Sequence, residues 1–360
     1  MHELELWKPD GRRLVLYSRR PIERTVAAPT PASRAHEPNP HFRWHPLRGE
    51  WISYAPHRQE RTFLPPPEYN PLLPSDDGAV PTELPVGDYD IAVFDNLFPT
   101  MSFAAHDPPA EIVPTAPALG HCEVVVFTQD PRSSLAALPL EHIELLIEVW
   151  GQRTLALGRH DGIRYVLPFE NRGPEVGVTL EHPHGQIYAY PFVPPVPGRM
   201  HELELEHLLK KGSTLLQTLV EQEMRAATRM IYAGDHAVAF VPAWARYPYE
   251  AWIAPRIAAP DFTSLSVPQR ADLARAIKTT LMKFDGLWNR PMPYIMAWYQ
   301  APLDDSPRRA YHLHAECFPA YRMPGRLKYL AGTEVGAGMF ANDTLPEAKA
   351  RELQDVVVNV

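Results

Sequence analysis

Two histidines and a glutamine at alternating positions are the feature of this sequence that most clearly suggests chemistry. His182, His184 and Gln186 lie in the run 182–190 and are separated by single residues. Alternate side chains of an extended strand share a face, so these three groups are expected to point at one object. Because burying imidazole and amide groups without partners is costly, that object is water, a metal ion or a ligand with several acceptors, such as a phosphate. The spacing alone leaves these possibilities open.

The composition limits the classes of protein to which this chain could belong. It has 360 residues, 45% of them hydrophobic, which is enough for a substantial core. The net charge of -8 argues against general attraction to nucleic acid or an anionic membrane. No apolar run approaches the roughly 20 residues that span a bilayer. We therefore predict no nucleic-acid or membrane partner, and an anionic ligand would need a local cationic patch.

The cysteines and the N-terminus indicate a cytoplasmic location. Cys122 and Cys317 lie far apart and form neither a C-x-x-C pair nor a disulfide framework. Glu3, Glu5 and Asp10 occupy the N-terminus, where a secretory signal would carry a basic stretch and an apolar block.

The elements that must position the histidine motif occur twice in the same order. The first copy reads as two strands, an amphipathic helix, a strand and the motif strand, at 91–94, 123–127, 140–157, 164–167 and 182–190. The second copy reads the same way at 237–240, 250–253, 268–288, 293–298 and 311–318. Its last strand carries His312, His314 and Glu316, and Ser266 and Gln269 predict a capping box before its helix. This repetition predicts duplication of one α+β unit.

Four segments follow from this organisation. An Arg- and Pro-rich N-terminal arm is predicted at 1–41, and the N-terminal half with the motif strand at 42–198. A leucine-rich helical linker is predicted at 199–232, and the C-terminal half at 233–360.

Motifs along nearly the whole chain, from about residue 42 to 345, resemble those of one family. They are His45-Pro46-Leu47, Ala55-Pro56-His57-Arg58, Phe94 with Asn96 and Phe98-Pro99, Glu170-Asn171, His182-Pro183-His184-Gly185-Gln186, and Leu327-Lys328-Tyr329 before Glu334. In these motifs the chain resembles the galactose-1-phosphate uridylyltransferases of the histidine triad superfamily, in their bacterial branch. The resemblance implies an α+β fold of duplicated histidine-triad-like half-units, with antiparallel sheets and packed helices forming one large two-fold-repeated domain.

The resemblance also implies a two-step exchange that belongs to galactose metabolism. UDP-glucose would give its uridylyl group to a histidine, and galactose-1-phosphate would then take it up. His184 matches the family's nucleophile, and Gln186 matches a glutamine that donates to the phosphate oxygens. The chemistry agrees, because a neutral imidazole is nucleophilic near its usual pKa of about 6.5 and leaves well once bonded to phosphorus. An acceptor must hold the far ring nitrogen as N–H.

Other positions match residues that bind substrate in the family. Arg58 and Arg61 match phosphate-binding arginines, and Thr179 matches a hydroxyl that faces the same phosphate. Matches for uridine, ribose or close backbone contacts are Asn96, Phe98, Asn171 and Gly177. The segment of Lys328, Tyr329 and Glu334 matches one that reaches the neighbouring subunit's site, which implies a homodimer with shared active sites.

The metal sites of relatives are only partly matched. Their zinc site uses two cysteines, a later histidine and the first histidine of the motif. Here the corresponding loop is 70–74 and the later position is Pro131, so only His182 remains. Because one neutral ligand does not hold zinc, we predict that this site is lost and that His182 orients the strand through hydrogen bonds. A second metal site in some relatives corresponds to Tyr299, His314 and Glu316, where a metal is possible.

Three functions remain open from the sequence. The first is a UDP-glucose–hexose-1-phosphate uridylyltransferase, with an undetermined preference among hexose phosphates. The second is a related nucleotidyltransferase or phosphorylase that acts on ADP-sugars or dinucleoside polyphosphates. The third is a nucleotide-binding homologue without catalytic activity.

Overall fold

A computed structural model describes residues 1–22, 27–32, 37–60, 69–75 and 80–360 of the chain. These residues form eighteen strands and five α-helices. The strands are β1 (His2–Trp7), β2 (Arg13–Ser18), β3 (His41–His45), β4 (Glu50–Tyr54), β5 (Pro74–Ser75), β6 (Leu84–Pro85), β7 (Ile91–Asp95), β8 (Thr115–Pro117), β9 (His121–Val126), β10 (Tyr165–Arg172), β11 (His184–Tyr190), β12 (Met230–Ala233), β13 (Ala237–Phe240), β14 (Ala251–Pro255), β15 (Tyr294–Tyr299), β16 (His314–Pro319), β17 (Tyr321–Met323) and β18 (Arg326–Leu327). The helices are α1 (Leu140–Gly158), α2 (Pro195–Lys211), α3 (Leu215–Ala226), α4 (Val267–Gly286) and α5 (Pro346–Asp355).

One antiparallel sheet of eleven strands organises the molecule. Its order is β1-β2-β7-β9-β11-β10-β15-β16-β14-β13-β12. The run β7-β9-β11-β10 and the run β13-β14-β16-β15 have the same internal order and meet where β10 pairs with β15. In each copy one long helix, α1 or α4, connects the second strand to the third along the chain. The predicted α+β fold of duplicated half-units is thus confirmed.

Helices α1 and α4 pack against each other and cover one face of the sheet. Ile187 and Ala189 of β11, and Ala315 and Cys317 of β16, point into the core below them. The predicted capping box is present at the start of α4, where Ser266 and Gln269 bond reciprocally. Among the residues that the structure describes, no helix is both long and apolar enough to cross a membrane.

The opposite face of the sheet is covered differently in the two halves. Over the C-terminal half, α3 packs Leu216 and Val220 against Val238 and Phe240. The predicted linker is therefore two helices, separated at Gly212, which adopts a φ of 80° and ends α2. Over the N-terminal half this face opens into a cavity beside β11.

The segment predicted as an N-terminal arm begins instead with a hairpin that belongs to the sheet. Strand β1 pairs with β2, and β2 pairs with β7. Leu14 and Leu16 pack in a cluster with Leu72 and Leu84, whereas Val15 and Tyr17 enter the main core. A short strand buried on both faces shows no alternation of polar and apolar residues, so its place in the sheet was not evident from the sequence.

Candidate active site

A cavity of about 500 Å³ lies on the open face of the N-terminal half. This volume is typical of a small-molecule site. Eight of the residues predicted from the sequence line it together: Arg58, Asn96, Phe98, Asn171, Gly177, Thr179, His184 and Gln186.

Strand β11 divides its side chains between the cavity and the core. His184, Gln186 and Tyr188 line the cavity, whereas Gly185 and Ile187 are buried on the helix side. A Cβ atom on Gly185 would lie 2.8 Å from both a ring carbon of Phe127 and the Phe169 carbonyl oxygen. Glycine at position 185 therefore allows β11 to approach the core closely while it presents His184 on the other side.

The His184 ring has the hydrogen bond that a nucleophilic imidazole needs. Its Nδ1 lies 2.7 Å from the carbonyl oxygen of His182, which can only accept, so Nδ1 carries the proton. Nε2 is then left with a lone pair. Burial lowers the pKa of His184 below its usual value, which favours the neutral ring.

His182 does not share the cavity face with the other two groups of the motif. Strand β11 begins at His184, and His182 precedes it with only 1% of its surface exposed. Its Nε2 donates to the Thr128 carbonyl at 2.7 Å, and its Nδ1 accepts from the Asn70 amide at 3.2 Å. The alternation of side chains along a strand would place His182 on the same face as His184 and Gln186 only if β11 extended back to residue 182.

These contacts also bear on the zinc site of relatives. Both ring nitrogens of His182 are engaged, and the partner from the 70–74 loop is an amide that donates a hydrogen bond. An amide nitrogen is a poor zinc ligand compared with a thiolate, so the residues present do not fit a zinc ion here.

The loop after β7 is held in place by two basic side chains. His57 Nε2 bonds to the Pro99 carbonyl at 2.9 Å, and Arg58 donates to the carbonyl of Phe98. Asn96 accepts from the backbone N–H of Phe98 at 2.8 Å, which forms a local turn. Arg58 thus reaches the cavity from a short helical turn while it fixes the loop that carries Asn96 and Phe98.

The segment between β10 and β11 forms another wall. Asn171 is near the end of β10, and a short helical turn leads to Gly177, which adopts a φ of 82°. A Cβ on Gly177 would meet nothing within 4 Å, so its backbone conformation, and not crowding, favours glycine. Gly173 is different, since a Cβ there would lie 2.6 Å from the Pro293 side chain.

Three further predicted residues, Lys328, Tyr329 and Glu334, are not among the described residues that line this cavity. Lys328, Tyr329 and Glu334 belong to a C-terminal segment in which Lys328 Nζ bonds to Glu334 at 2.8 Å and to the Ala341 carbonyl at 2.7 Å. Arg61 lies outside the described residues.

The structure adds cavity residues that the sequence argument did not select. They include Pro31, Tyr69, Glu83, Val124, Phe169 and Tyr188. Tyr188 could have been found, because it is two residues beyond Gln186 and so shares its face. Burial raises its pKa to about 12, so its hydroxyl keeps the proton and can donate.

The second potential metal site does not assemble a ligand set. His314 Nε2 and the nearest Glu316 oxygen are 3.7 Å apart, but the other Glu316 oxygen is bound by Arg246 at 2.6 Å. Tyr299 stacks on the His314 ring with centroids 5.3 Å apart. Two potential ligands, one of them already neutralised by an arginine, do not make a metal site.

Among the described residues, three potential metal ligands converge only at Asp95, His121 and Glu123. There His121 Nε2 donates to Asp95 at 2.8 Å, and Glu123 is bound by Arg153 at 2.6 Å and by Arg13 at 3.1 Å. A metal ion would have to displace a proton and two guanidinium contacts, so this cluster is better described as a partly buried ion-pair network.

Comparison with known proteins covers both halves of the chain. Residues 32–194 match the family model for the N-terminal domain of galactose-1-phosphate uridyl transferase, and residues 201–357 match that for its C-terminal domain. The galactose-1-phosphate uridylyltransferase of Thermotoga maritima is 33% identical over 326 residues, covering 89% of this chain and 99% of the relative. That of Streptomyces lividans is 34% identical over 374 residues, covering 96% of each.

A solved structure gives the same result. A uridylyltransferase with 34% sequence identity superposes with a TM-score of 0.79, covering 88% of this chain and 98% of the other. Sequence and structure therefore agree over both halves, and the chain belongs to the galactose-1-phosphate uridyl transferase family.

Proposed function

We propose that this protein is a nucleotidyltransferase that moves a uridylyl group from UDP-glucose to galactose-1-phosphate through a covalent intermediate on His184. The observation that carries the proposal is the Nδ1 hydrogen bond of His184 to the His182 carbonyl, at the edge of a cavity of suitable volume. Family membership supports the reaction class, since the curated relatives are galactose-1-phosphate uridylyltransferases.

In the first step, the lone pair of His184 Nε2 attacks the α-phosphorus of UDP-glucose. The N–P bond forms as the bond from the α-phosphorus to the bridging oxygen breaks, and glucose-1-phosphate leaves with that electron pair. The ring becomes cationic. Its Nδ1–H then donates more strongly to the carbonyl of His182, which stabilises the intermediate without any separate proton acceptor.

In the second step, a phosphate oxygen of galactose-1-phosphate attacks the uridylyl phosphorus. The N–P bond breaks, its electron pair returns to Nε2, and UDP-galactose is formed. His184 is again neutral, so the cycle needs no net proton transfer. A hydroxyl nucleophile would need a base to remove its proton, whereas the neutral ring of histidine does not.

Three neighbouring groups are suited to stabilise the negative charge that develops on the oxygens of the transferred phosphoryl group. The Gln186 amide lies on the same face of β11 as His184, and Thr179 and Arg58 line the same cavity. Gln186 and Thr179 supply neutral donors, whereas Arg58 supplies positive charge in a protein of net charge -8. His182 is buried just before β11, and its two hydrogen bonds make it a residue that positions the start of this strand.

The proposed intermediate can be isolated directly. UDP-glucose labelled in the uridine is mixed with the protein, which is then denatured and separated from nucleotide. We expect close to one uridylyl group per chain, stable in base and labile in acid, with an equal amount of glucose-1-phosphate released. ADP-glucose, tested in parallel, should label far less. Efficient labelling by ADP-glucose would favour the adenylyl alternative, and binding without labelling would favour a homologue without catalytic activity.

The lowered pKa of His184 predicts a specific pH dependence for the first half-reaction. Because only the neutral ring attacks, the rate should stay constant as the pH falls to about 6.5 and decline only below the usual histidine pKa of about 6.5. The measurement is the second-order rate constant for glucose-1-phosphate release, which reports the free enzyme. Galactose-1-phosphate is omitted because a phosphate monoester itself titrates near pH 6. A half-maximal rate at or above pH 6.5 would contradict the lowered pKa.

Replacement of Gln186 by Met should slow both half-reactions by about 10² to 10³-fold. The substitution keeps the length of the side chain but removes a donor to the charge that develops on phosphorus. Single-turnover rates of uridylylation and of transfer to galactose-1-phosphate test this. Gln152→Met, at an exposed position of α1, is the matched control and should react normally. Loss confined to substrate affinity, with normal single-turnover rates, would show that Gln186 only binds.

The homodimer is also part of the proposal. Tyr329, Val335 and Met339 are 75%, 62% and 68% exposed in the C-terminal segment that carries Lys328. An apolar surface of this kind is suited to contact with a second copy, which would bring Lys328 towards the partner's cavity. A monomer in analytical ultracentrifugation would contradict this.

We further propose a cytoplasmic location, which the two unpaired buried cysteines, Cys122 and Cys317, support.

A further inference from the structure

A second cavity, of about 260 Å³, lies over the C-terminal half between the sheet and helices α2 and α3. Its lining is mostly apolar and rich in aromatic rings, and it shares no residue with the first cavity among the residues that the structure describes. The lining residues that matter here are Trp244, Trp252, Tyr299, Tyr311, His312 and His314.

His314 occupies in this half the position that His184 occupies in the other. Its Nδ1 bonds to the His312 carbonyl at 2.9 Å, so Nε2 carries a lone pair. The ring is 7% exposed and stacks between Trp252, at 5.0 Å, and Tyr299, at 5.3 Å. Nε2 is buried and has no hydrogen-bond partner in the described part of the chain. A buried acceptor of this kind calls for a donor.

The charges around this cavity exclude several classes of ligand. Among its described lining residues there is no lysine or arginine, so a phosphate or other anion has no partner. Glu204 accepts the backbone N–H groups of Leu215 and Leu216, and burial raises its pKa. Glu204 is the one carboxylate among the described lining residues, and both of its oxygens already accept these backbone N–H groups, so an organic cation finds no free carboxylate oxygen there.

The volume of the cavity and the shape of its walls further limit the class of ligand that could bind. A cavity of about 150 Å³ is large enough for benzene, so about 260 Å³ has room for a molecule of one or two fused rings. The indole rings of Trp244 and Trp252 offer faces and edges for offset or edge-on stacking.

We propose that this cavity is a binding site for a small neutral aromatic molecule with one N–H or O–H donor, which bonds to Nε2 of His314. Indole and phenol represent the class. The inference does not depend on the uridylyl transfer proposed above, because it uses a separate cavity in the other half of the fold.

A pair of probes that differ in one donor tests the proposal by calorimetry. Indole should bind with one site per chain at millimolar concentration or below. The ring of 1-methylindole has the same aromatic system but no N–H, so it should bind about five- to tenfold more weakly. Saturating UDP-glucose should leave indole binding unchanged, which separates this site from the first cavity. Equal affinities for the two probes, or no saturable binding of indole, would overturn the proposal.

Two variants locate the site. His314→Phe keeps an aromatic ring but removes the acceptor, so indole and 1-methylindole should then bind equally. Met200→Trp, on α2, should fill the cavity and abolish binding of both probes, whereas Leu209→Trp, on the same helix but 76% exposed, should not. Circular dichroism checks that each variant is folded. Retained binding in Met200→Trp would overturn the proposal, as would one equivalent of Zn²⁺ or Fe²⁺ bound by the unmodified protein and lost in His314→Phe.

Discussion

Replacement of His184 by Gly is expected to lower the rate of uridylyl transfer by on the order of 10⁴-fold or more, because it removes the only group proposed to bond to phosphorus. No labelled protein should form from UDP-glucose. The cavity and its other lining side chains remain, so UDP-glucose should still bind within about tenfold of its normal affinity. Transfer is measured by coupled product formation, covalent labelling by isolation of the denatured protein, and binding by calorimetry.

The control for this experiment is His2→Gly, at an exposed position of the edge strand β1, which should retain full activity. Two results would contradict the proposed role of His184. One is persistent labelling of His184→Gly, which would place the intermediate on another residue. The other is transfer at a normal rate without any labelled protein, which would indicate direct displacement of one substrate by the other.

The duplicated fold could be predicted because the order of its elements is repeated in the sequence. Strands at 91–94 and 237–240, followed by matching helices and H-x-H strands, were sufficient to infer two equivalent units. Strand alternation also placed His184 and Gln186 on one face correctly, since β11 has a clear period of two in its burial.

Contacts across the sheet determine several features of the site that the sequence does not show. The sequence does not show where β11 begins, because that depends on pairing with β9, and His184 opposite Val126 is the first pair. Similarly, the partners of His182 are Thr128 and Asn70, which are 54 and 112 residues away. Contacts at such separation are set by tertiary packing and leave no local pattern.

The place of the N-terminal hairpin in the sheet also depends on distant contacts, and it affects the first cavity. It lies before residue 32, where the family match begins, yet its side chains lie behind the first cavity. Lys8 bonds to Glu83 at 2.5 Å, and Glu83 lines that cavity. Arg12 bonds to Glu83 and to the carbonyl of Asp95, the residue before Asn96. The prediction of an Arg- and Pro-rich arm at 1–41 did not anticipate this network.

Replacement of Arg12 by Met is therefore expected to destabilise the folded protein by about 3 to 5 kcal/mol, the usual cost of removing one partner from a buried ion pair. Arg12 is 1% exposed and donates to Asp10 at 2.8 Å, to Glu83 at 3.1 Å and to Thr30 at 3.1 Å. Methionine fills much of the same space but leaves the Asp10 and Glu83 carboxylates with fewer donors in a buried site. Urea unfolding followed by circular dichroism measures the change, with an unaltered m-value as the sign that the same structure unfolds.

Two further variants distinguish loss of this network from loss of charge in general. Arg20→Met removes an exposed arginine two residues after the hairpin and should change the free energy of unfolding by about 0.5 kcal/mol or less. Arg12→Lys keeps the charge but not the fork that reaches Asp10, Glu83 and the Asp95 carbonyl together, so its cost should be intermediate. Because Glu83 lines the cavity and Asp95 precedes Asn96, the KM for UDP-glucose should rise in Arg12→Lys more than kcat falls. A cost for Arg12→Met no larger than that for Arg20→Met would show that the buried network contributes little to holding the hairpin against the cavity.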